Sequence, residues 1–331
     1  MSCILIVGLG SIGRRHLGNL RTLGYPDVVL CRTGKGPSGA APIEGYRTER
    51  SLAAALSHRP IATIVANPTA LHLETAILAA EAGSHLLIEK PVSHSEEGLD
   101  RLSALVEASV LKVLVGFQFR FHPGLLAVKR MIEEERIGPI RSFHAHWGEY
   151  LPDWHPGEDY RQGYSARADL GGGVLLTLCH PFDYLRWLLG EVRTVAASTS
   201  HDGLNLDVED TADVLLGFES GVTGTVHLDY LQRPPSHWLR LTGELGTILW
   251  DNADGAVRVW HAGTREWETI TPPAGFERNT MFLAEMRHFL ECVEGKVEPR
   301  VTLTDGVRAL QIALAAKRAA AEGRTIEVSH A

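Results

Sequence analysis

A chain of 331 residues exceeds what one hydrophobic core usually supports, so two domains are expected. Its 32 Lys and Arg against 40 Asp and Glu give a formal charge of -8, with no basic stripe, which argues against a nucleic-acid partner. Cys3, Cys31, Cys179 and Cys292 lack disulfide or metal spacing, and the apolar opening MSCILIVGLG has neither the basic flank of a secretory signal nor the length of a membrane span; a cytoplasmic protein outside the membrane is expected.

In chain order, short apolar runs at 3–7, 28–31, 62–66, 85–89 and 112–117 read as strands covered on both faces. Helical stretches alternate with them: SIGRRHLGNLRTLG, SLAAALSHRP, HLETAILAAEAG and SEEGLDRLSALVEAS, the last with a Ser-Glu-Glu amino end. This alternation predicts an α/β first domain, a doubly wound parallel Rossmann sheet over residues 1–119. From 140 onward strands dominate. In IRSFHAHWGEY, Phe143, Ala145 and Trp147 alternate with polar residues, and in VTGTVHLDYL so do Val226, Leu228 and Tyr230. Further strands are expected near 193–199, 211–218, 238–243, 246–250, 256–261 and 266–271, with helices at 172–190, 279–295 and 304–323. Residues 120–331 thus predict an α+β domain with a large, mostly antiparallel open sheet, helix 304–323 being able to return to the first domain.

VGLGSIG places Gly8, Gly10 and Gly13 between a strand and a helix, where glycines let the backbone approach a pyrophosphate at the helix amino end. At the second strand's tip, VVLCRTGKG offers no acid for a ribose hydroxyl. Arg32, with Thr33 and Lys35, suits a 2′-phosphate instead, so NADP is expected, with NAD the alternative. SHLLIEKPVS ends a parallel strand on Glu89 and Lys90, at the sheet edge where such folds bind ligands. His144 and His146 lack the further ligands of a metal centre and read as sheet or interface residues; no metal is expected.

Four stretches in order, VGLGSIG, ANPTALHLETAILAAEAGSHLLIEKPVS, VGFQFRFHPG and GGGVLLTLCHPFDYLRWLLG, make the chain resemble the Gfo/Idh/MocA oxidoreductases over nearly its whole length. The resemblance implies a Rossmann domain followed by an open sheet used for oligomerisation, hence a homodimer or homotetramer. It also implies that Gly8, Gly10, Ser11, Ile12 and Gly13 hold the pyrophosphate, that Asn67, Pro68 and His72 border the cofactor, that Glu89 lies by the nicotinamide ribose, and that Arg120 lies where the domains meet. Lys90 would reach the reacting hydroxyl or carbonyl, and His180 matches the catalytic histidine. Many sugar dehydrogenases of the family carry an aspartate three or four residues before that histidine; here Thr177 and Leu176 stand there, while Asp183 follows on the same helical face and could orient the imidazole.

The segment GEYLPDWHPGEDYRQGYSARADLGGG interleaves Tyr150, Trp154, Tyr160 and Tyr164 with Arg161 and Arg167, a composition suited to a sugar ring bearing a carboxylate or phosphate, or to a neighbouring subunit. With Thr177 these are the expected substrate contacts. The expected activity is hydride transfer between a nicotinamide and a sugar or sugar-derivative hydroxyl or keto group, an acidic or nucleotide sugar being the specific expectation. A cofactor-binding sensor, or a lyase or glycosidase that retains its nicotinamide, are the alternatives.

Overall fold

A computed structural model of the chain describes residues 3–32 and 43–329. The elements run β1 (Ile4–Val7), α1 (Ser11–Thr22), β2 (Val28–Cys31), β3 (Arg47–Glu49), α2 (Leu52–Leu56), β4 (Ala62–Val65), α3 (His72–Glu81), β5 (His85–Ile88), α4 (Leu99–Ala108) and β6 (Val113–Val115). They continue with α5 (Pro123–Glu133), β7 (Ile140–Gly148), α6 (Val174–Thr177), α7 (His180–Leu189), β8 (Val192–Ser200), β9 (Thr211–Phe218), β10 (Thr223–Asp229), β11 (Ser236–Gly243), β12 (Gly246–Asp251), β13 (Val257–His261) and β14 (Glu266–Ile270). The chain closes with α8 (Arg278–Val293), α9 (Leu303–Glu322) and β15 (Ile326–Glu327). Two compact units result. Residues 1–118, 169–171 and 278–307 form the first; 119–168, 172–277 and 308–331 form the second.

In the first unit six parallel strands lie in the order β3-β2-β1-β4-β5-β6. All four residues of β1, β2 and β4 are buried, as expected of strands with covered faces. Leu5, Val7, Val29 and Cys31 pack under Ala55, Leu52 and Leu56 of α2, each fully buried Val or Leu contributing about 1.5–3 kcal/mol. The register pairs Val7 with Cys31 and Val65, Val65 with Ile88, and Ile88 with Val115. The carboxyl ends of β1, β2, β4, β5 and β6 therefore form one edge, and the strand order reverses between β1 and β4, the switch point at which such sheets bind ligands.

The second unit carries the sheet β14-β13-β12-β11-β7-β10-β9-β8-β15, antiparallel except where β10 runs parallel to β7. Phe143, Ala145, Trp147, Val226, Leu228, Leu239 and Leu241 are buried on one face, whereas His144, Thr225 and Arg240 are exposed on the other. The predicted fold class is thus observed in both halves.

Several details differ from the sequence reading. The helix expected over 172–190 is two, α6 and α7, separated at Leu178 and Cys179; Pro181 cannot donate to the ladder at the join. α4 begins at Leu99 rather than Ser95, because Gly98 takes a left-handed φ of 86° immediately before it. β3, only three polar residues long, and α5 were not foreseen.

Candidate active site

The glycine loop follows the logic of its sequence. Gly8 has φ 93°, and a Cβ there would strike the backbone of Ala66 and Asn67 at the end of β4. A Cβ on Gly13 would overlap the Gly8 carbonyl, so that glycine lets α1 close on β1. At Gly10, by contrast, a Cβ would touch nothing within 4 Å, and this residue caps α1 with no side-chain bond. The first N–H groups of α1, from Ser11 and Ile12 onward, thus lie beside backbone a ligand can approach closely, which fits a pyrophosphate. Arg32 follows β2 and is 7% exposed, its N–H donating to the Glu49 carbonyl at 2.9 Å. Thr33 and Lys35 lie outside the described residues.

Pro68 leads into a single turn before α3, and Asn67 Nδ2 donates to Thr75 Oγ1 at 2.9 Å. The buried His72 ring lies 2.8 Å from the carbonyl oxygens of both Asn67 and Pro91. Burial lowers its pKa against the opposing pull of those carbonyls. His72 is therefore a strut that ties the loop after β4 to the loop after β5, and so fixes the place of Lys90. Lys90 itself is half-buried, and its bond to Pro91 is cis. Glu89 is 6% exposed, and His16 Nε2 donates to its Oε1 at 2.7 Å. Burial would raise the Glu89 pKa, but the His16 bond, aided by the charges of His16, Lys90 and His72, prevails and holds it low. His16 was missed by sequence reasoning, although it stands three residues after Gly13 on the buried stripe of α1.

In the second unit His180 opens α7 and is 2% exposed. Its ring packs edge-on to Phe119 at 5.0 Å and tilted against Trp147 at 5.1 Å. Trp147 in turn stacks on the buried His237 at 4.4 Å, and His237 Nε2 lies 3.3 Å from the Tyr184 hydroxyl. Burial pushes the His237 pKa well down, helped by His122 and His146. His122, pushed down to about 4 by burial, accepts from the Gly124 N–H at 2.9 Å. Neither His122 nor His237 was foreseen; His122 directly follows the buried Phe121, and His237 alternates with the buried Leu239 and Leu241 on the inward face of β11.

Asp183 is taken up by Arg120. The guanidinium donates from Nε at 3.1 and 3.0 Å and from Nη2 at 2.6 Å, and lies 5.7 Å from the Trp187 ring. Both residues are buried. Thr177 is buried on α6, and the buried Tyr230 hydroxyl donates to the Ser165 carbonyl at 3.2 Å.

The aromatic segment is a chain of single turns. Tyr150 lies under the Arg233 guanidinium at 3.8 Å, Trp154 meets Tyr230 edge-on, and Arg161 covers Tyr160 at 4.7 Å. Tyr164 is half-buried and Arg167 exposed. On the outer sheet face His144 bonds Thr225 and His146 stacks on His227 and Trp238; among the described residues no cluster of three metal-ligating side chains occurs. Nor, among them, is any helix long and apolar enough to cross a membrane.

Residues 3–117 match an oxidoreductase family with an NAD-binding Rossmann fold, and residues 125–249 match the GFO/IDH/MocA C-terminal domain. D-apiose dehydrogenase of Paraburkholderia graminis is 27% identical over 98% of this chain and 88% of its own. Inositol 2-dehydrogenase 2 of Saccharopolyspora erythraea is 30% identical over 73% of this chain and 71% of its own. Levoglucosan dehydrogenase in complex with NADH superposes with a TM-score of 0.88 at 21% identity, covering 100% of both chains. The WlbA dehydrogenase of Bordetella pertussis, in complex with NADH and UDP-GlcNAcA, does so with 0.82 at 24% identity and 99% of both; these two likenesses are of fold. With both domain families matched in order behind a dinucleotide-type glycine loop, the chain belongs to the Gfo/Idh/MocA oxidoreductases.

Proposed function

We propose that the protein oxidises a sugar or sugar-derivative CH–OH group, or reduces the matching ketone, with Lys90 and His180 as its catalytic residues. The observation that carries this reading is the uncapped amino end of α1, open at Gly10, on the same sheet edge as Glu89 and Lys90. A bound nicotinamide supplies the site that accepts or donates hydride. Ser11, Ile12 and the glycines hold its pyrophosphate, Asn67 and Pro68 border it, and Glu89 holds the ribose. NADP is the expected form, since Arg32 offers a guanidinium and no acid follows β2.

In the oxidative direction the alcohol carbon loses hydride while its oxygen loses a proton. His180 takes that proton, because imidazole is the side chain best matched to proton transfer near neutrality. The Lys90 ammonium stabilises the alkoxide that develops. Asp183 sets the start of α7, and with it His180, through its pair with Arg120. The exposed Arg161 and Arg167, with Tyr150, Trp154, Tyr160 and Tyr164, suit an acidic or nucleotide sugar. The open outer sheet face, with Leu215 50% exposed, suits a homodimer or homotetramer, to be checked by light scattering.

The test is a panel of sugars and nucleotide sugars with NADP+ and NAD+, followed by single-turnover hydride transfer in Lys90→Met and His180→Asn. Each variant should lose at least about 10²-fold in rate with cofactor affinity nearly intact. Near wild-type rates in both would end the assignment, and cofactor binding without turnover across the panel would favour a sensor.

A further inference from the structure

The first unit holds a buried acid that this chemistry does not use. Glu285 lies on α8, is fully buried, and neither carboxyl oxygen has a hydrogen-bond partner among the described residues. A buried carboxylate without partners is costly, so a stable protein needs a reason to keep one. Its electrostatic neighbour is another carboxyl group, Glu89. Glu89 is well supported: His16 donates to it, and Gly116 makes room beside it, since a Cβ there would lie 3.1 Å from Glu89 Oε2.

The charged groups around the pair come from several elements. α1 brings His16, and also Arg15, which feels Glu89 and Arg278 and whose guanidinium lies 4.5 Å from the Phe282 ring on α8. The loop after β5 brings Lys90, and α3 brings His72. All of these act on Glu89, which therefore carries the negative charge; among the described residues Glu89 is the charge that acts on Glu285. Burial pushes the Glu285 carboxyl far up and the Glu89 charge pushes it further. With Glu89 ionised, burial and that charge together keep the proton on Glu285.

We propose that Glu285 is a positioning residue which, through Glu89, makes the protein distinguish the cationic oxidised nicotinamide from the neutral reduced one, the oxidised ring entering as the carboxyl pair gives its proton to solvent. The inference rests on Glu89 lying by the nicotinamide ribose, as proposed above. A fixed positive ring near Glu89 offsets the repulsion that keeps Glu285 protonated, whereas a neutral ring does not. No bond forms or breaks apart from the O–H of Glu285, whose proton leaves to buffer. Affinity for the oxidised cofactor should then rise up to about tenfold per pH unit where the pair titrates, while affinity for the reduced one stays flat.

The test is calorimetric titration of NADP+ and NADPH, and of NAD+ and NADH, onto the full chain from about pH 6 to about pH 9, in buffers of different ionisation enthalpy. The wild type should release a fraction of a proton, approaching one, with the oxidised form only. Glu285→Gln, the same shape without the proton, should release none with either. Thermal stability supplies a second readout. A carboxyl whose folded pKa is raised loses stability as pH rises above its unfolded value, so the Gln variant should gain in melting temperature over wild type as pH rises. Should that variant fail to fold, infrared difference spectra of the wild type decide: oxidised cofactor should bleach a protonated-carboxyl band that reduced cofactor leaves in place. Equal proton release by wild type and variant, or no bleaching, overturns the inference alone. Failure of the wild type to bind any of the four cofactors overturns the function proposed above, and this inference with it.

Discussion

Breaking the buried pair of Arg120 and Asp183 should destabilise the second unit. The carboxylate accepts three hydrogen bonds from Arg120, with side chains 4% and 1% exposed, so Asp183→Leu takes the counter-charge away from a buried guanidinium. Removing one partner of such a pair costs about 3–5 kcal/mol, a large part of the ordinary 5–15 kcal/mol that holds a domain folded. At a urea slope of about 2–3 kcal/mol/M the midpoint should fall by roughly 1–2.5 M. All seven tryptophans, from Trp147 to Trp267, lie in the second unit, so their fluorescence reads its unfolding alone. Arg120→Met should cost a similar amount, but the double variant Arg120→Met, Asp183→Leu should recover most of the loss, since the desolvated charges are then both gone. Single variants within about 1 kcal/mol of wild type, or a double variant whose loss is the sum of the singles, would show that the pair is not the anchor of α7.

Arg32→Ala should weaken NADP+ by about 1.5–3 kcal/mol while changing NAD+ little, as read by fluorescence titration; equal losses would mean the guanidinium reads no phosphate. Gly13→Ala should cost about 1–3 kcal/mol or more and abolish dinucleotide binding, because its methyl group meets the Gly8 carbonyl; a variant that binds normally would refute the close packing of α1 on β1. His227, whose two ring nitrogens lie 2.7 Å from Asp213 and 3.2 Å from Asp229, is raised to about 9, chiefly by its bond to Asp229. The imidazolium therefore stabilises the second unit fully below about pH 6.5, and its contribution is lost as pH rises through about 9. Urea midpoints of wild type should fall over that range and those of His227→Gln should not; parallel curves would remove the ion pair from the account.

Much of this was readable in the residues. The strands of both sheets announce themselves by continuous or alternating apolar runs, and the glycine spacing, Glu89–Lys90 and His180 stand in text long enough to be specific. β3 was invisible because Arg47, Thr48 and Glu49 carry no apolar signal; the strand exists through its ladder to β2. The buried partners were harder for a different reason. His16 and Glu285 are residue types expected in water, and only their positions betray them: Glu285 stands four residues after Met281 and four before Phe289, both buried, on the inward stripe of α8. Likewise nothing in the text says that Arg120 and Asp183, sixty-three residues apart, would meet.

The first unit is completed late. Asn279 Nδ2 donates to Asn19 Oδ1 at 2.9 Å, Phe282 lies under Arg15, the Val115 N–H donates to the Val301 carbonyl at 3.0 Å, and Gly306 packs against Val115. None of these partners exists on the ribosome when residue 118 emerges. At the usual 5–20 residues per second the nascent Rossmann sheet waits roughly ten to forty seconds for α8 and the start of α9, with the ground beneath α1 and β6 still unbuilt. During that interval eight of the nine strands of the second-unit sheet, β7 to β14, are synthesised and free to pair, so the later half of the polypeptide can begin folding before the earlier half is complete. A truncated gene ending near residue 120 would yield a sheet permanently in that waiting condition, prone to chaperone capture and proteolysis.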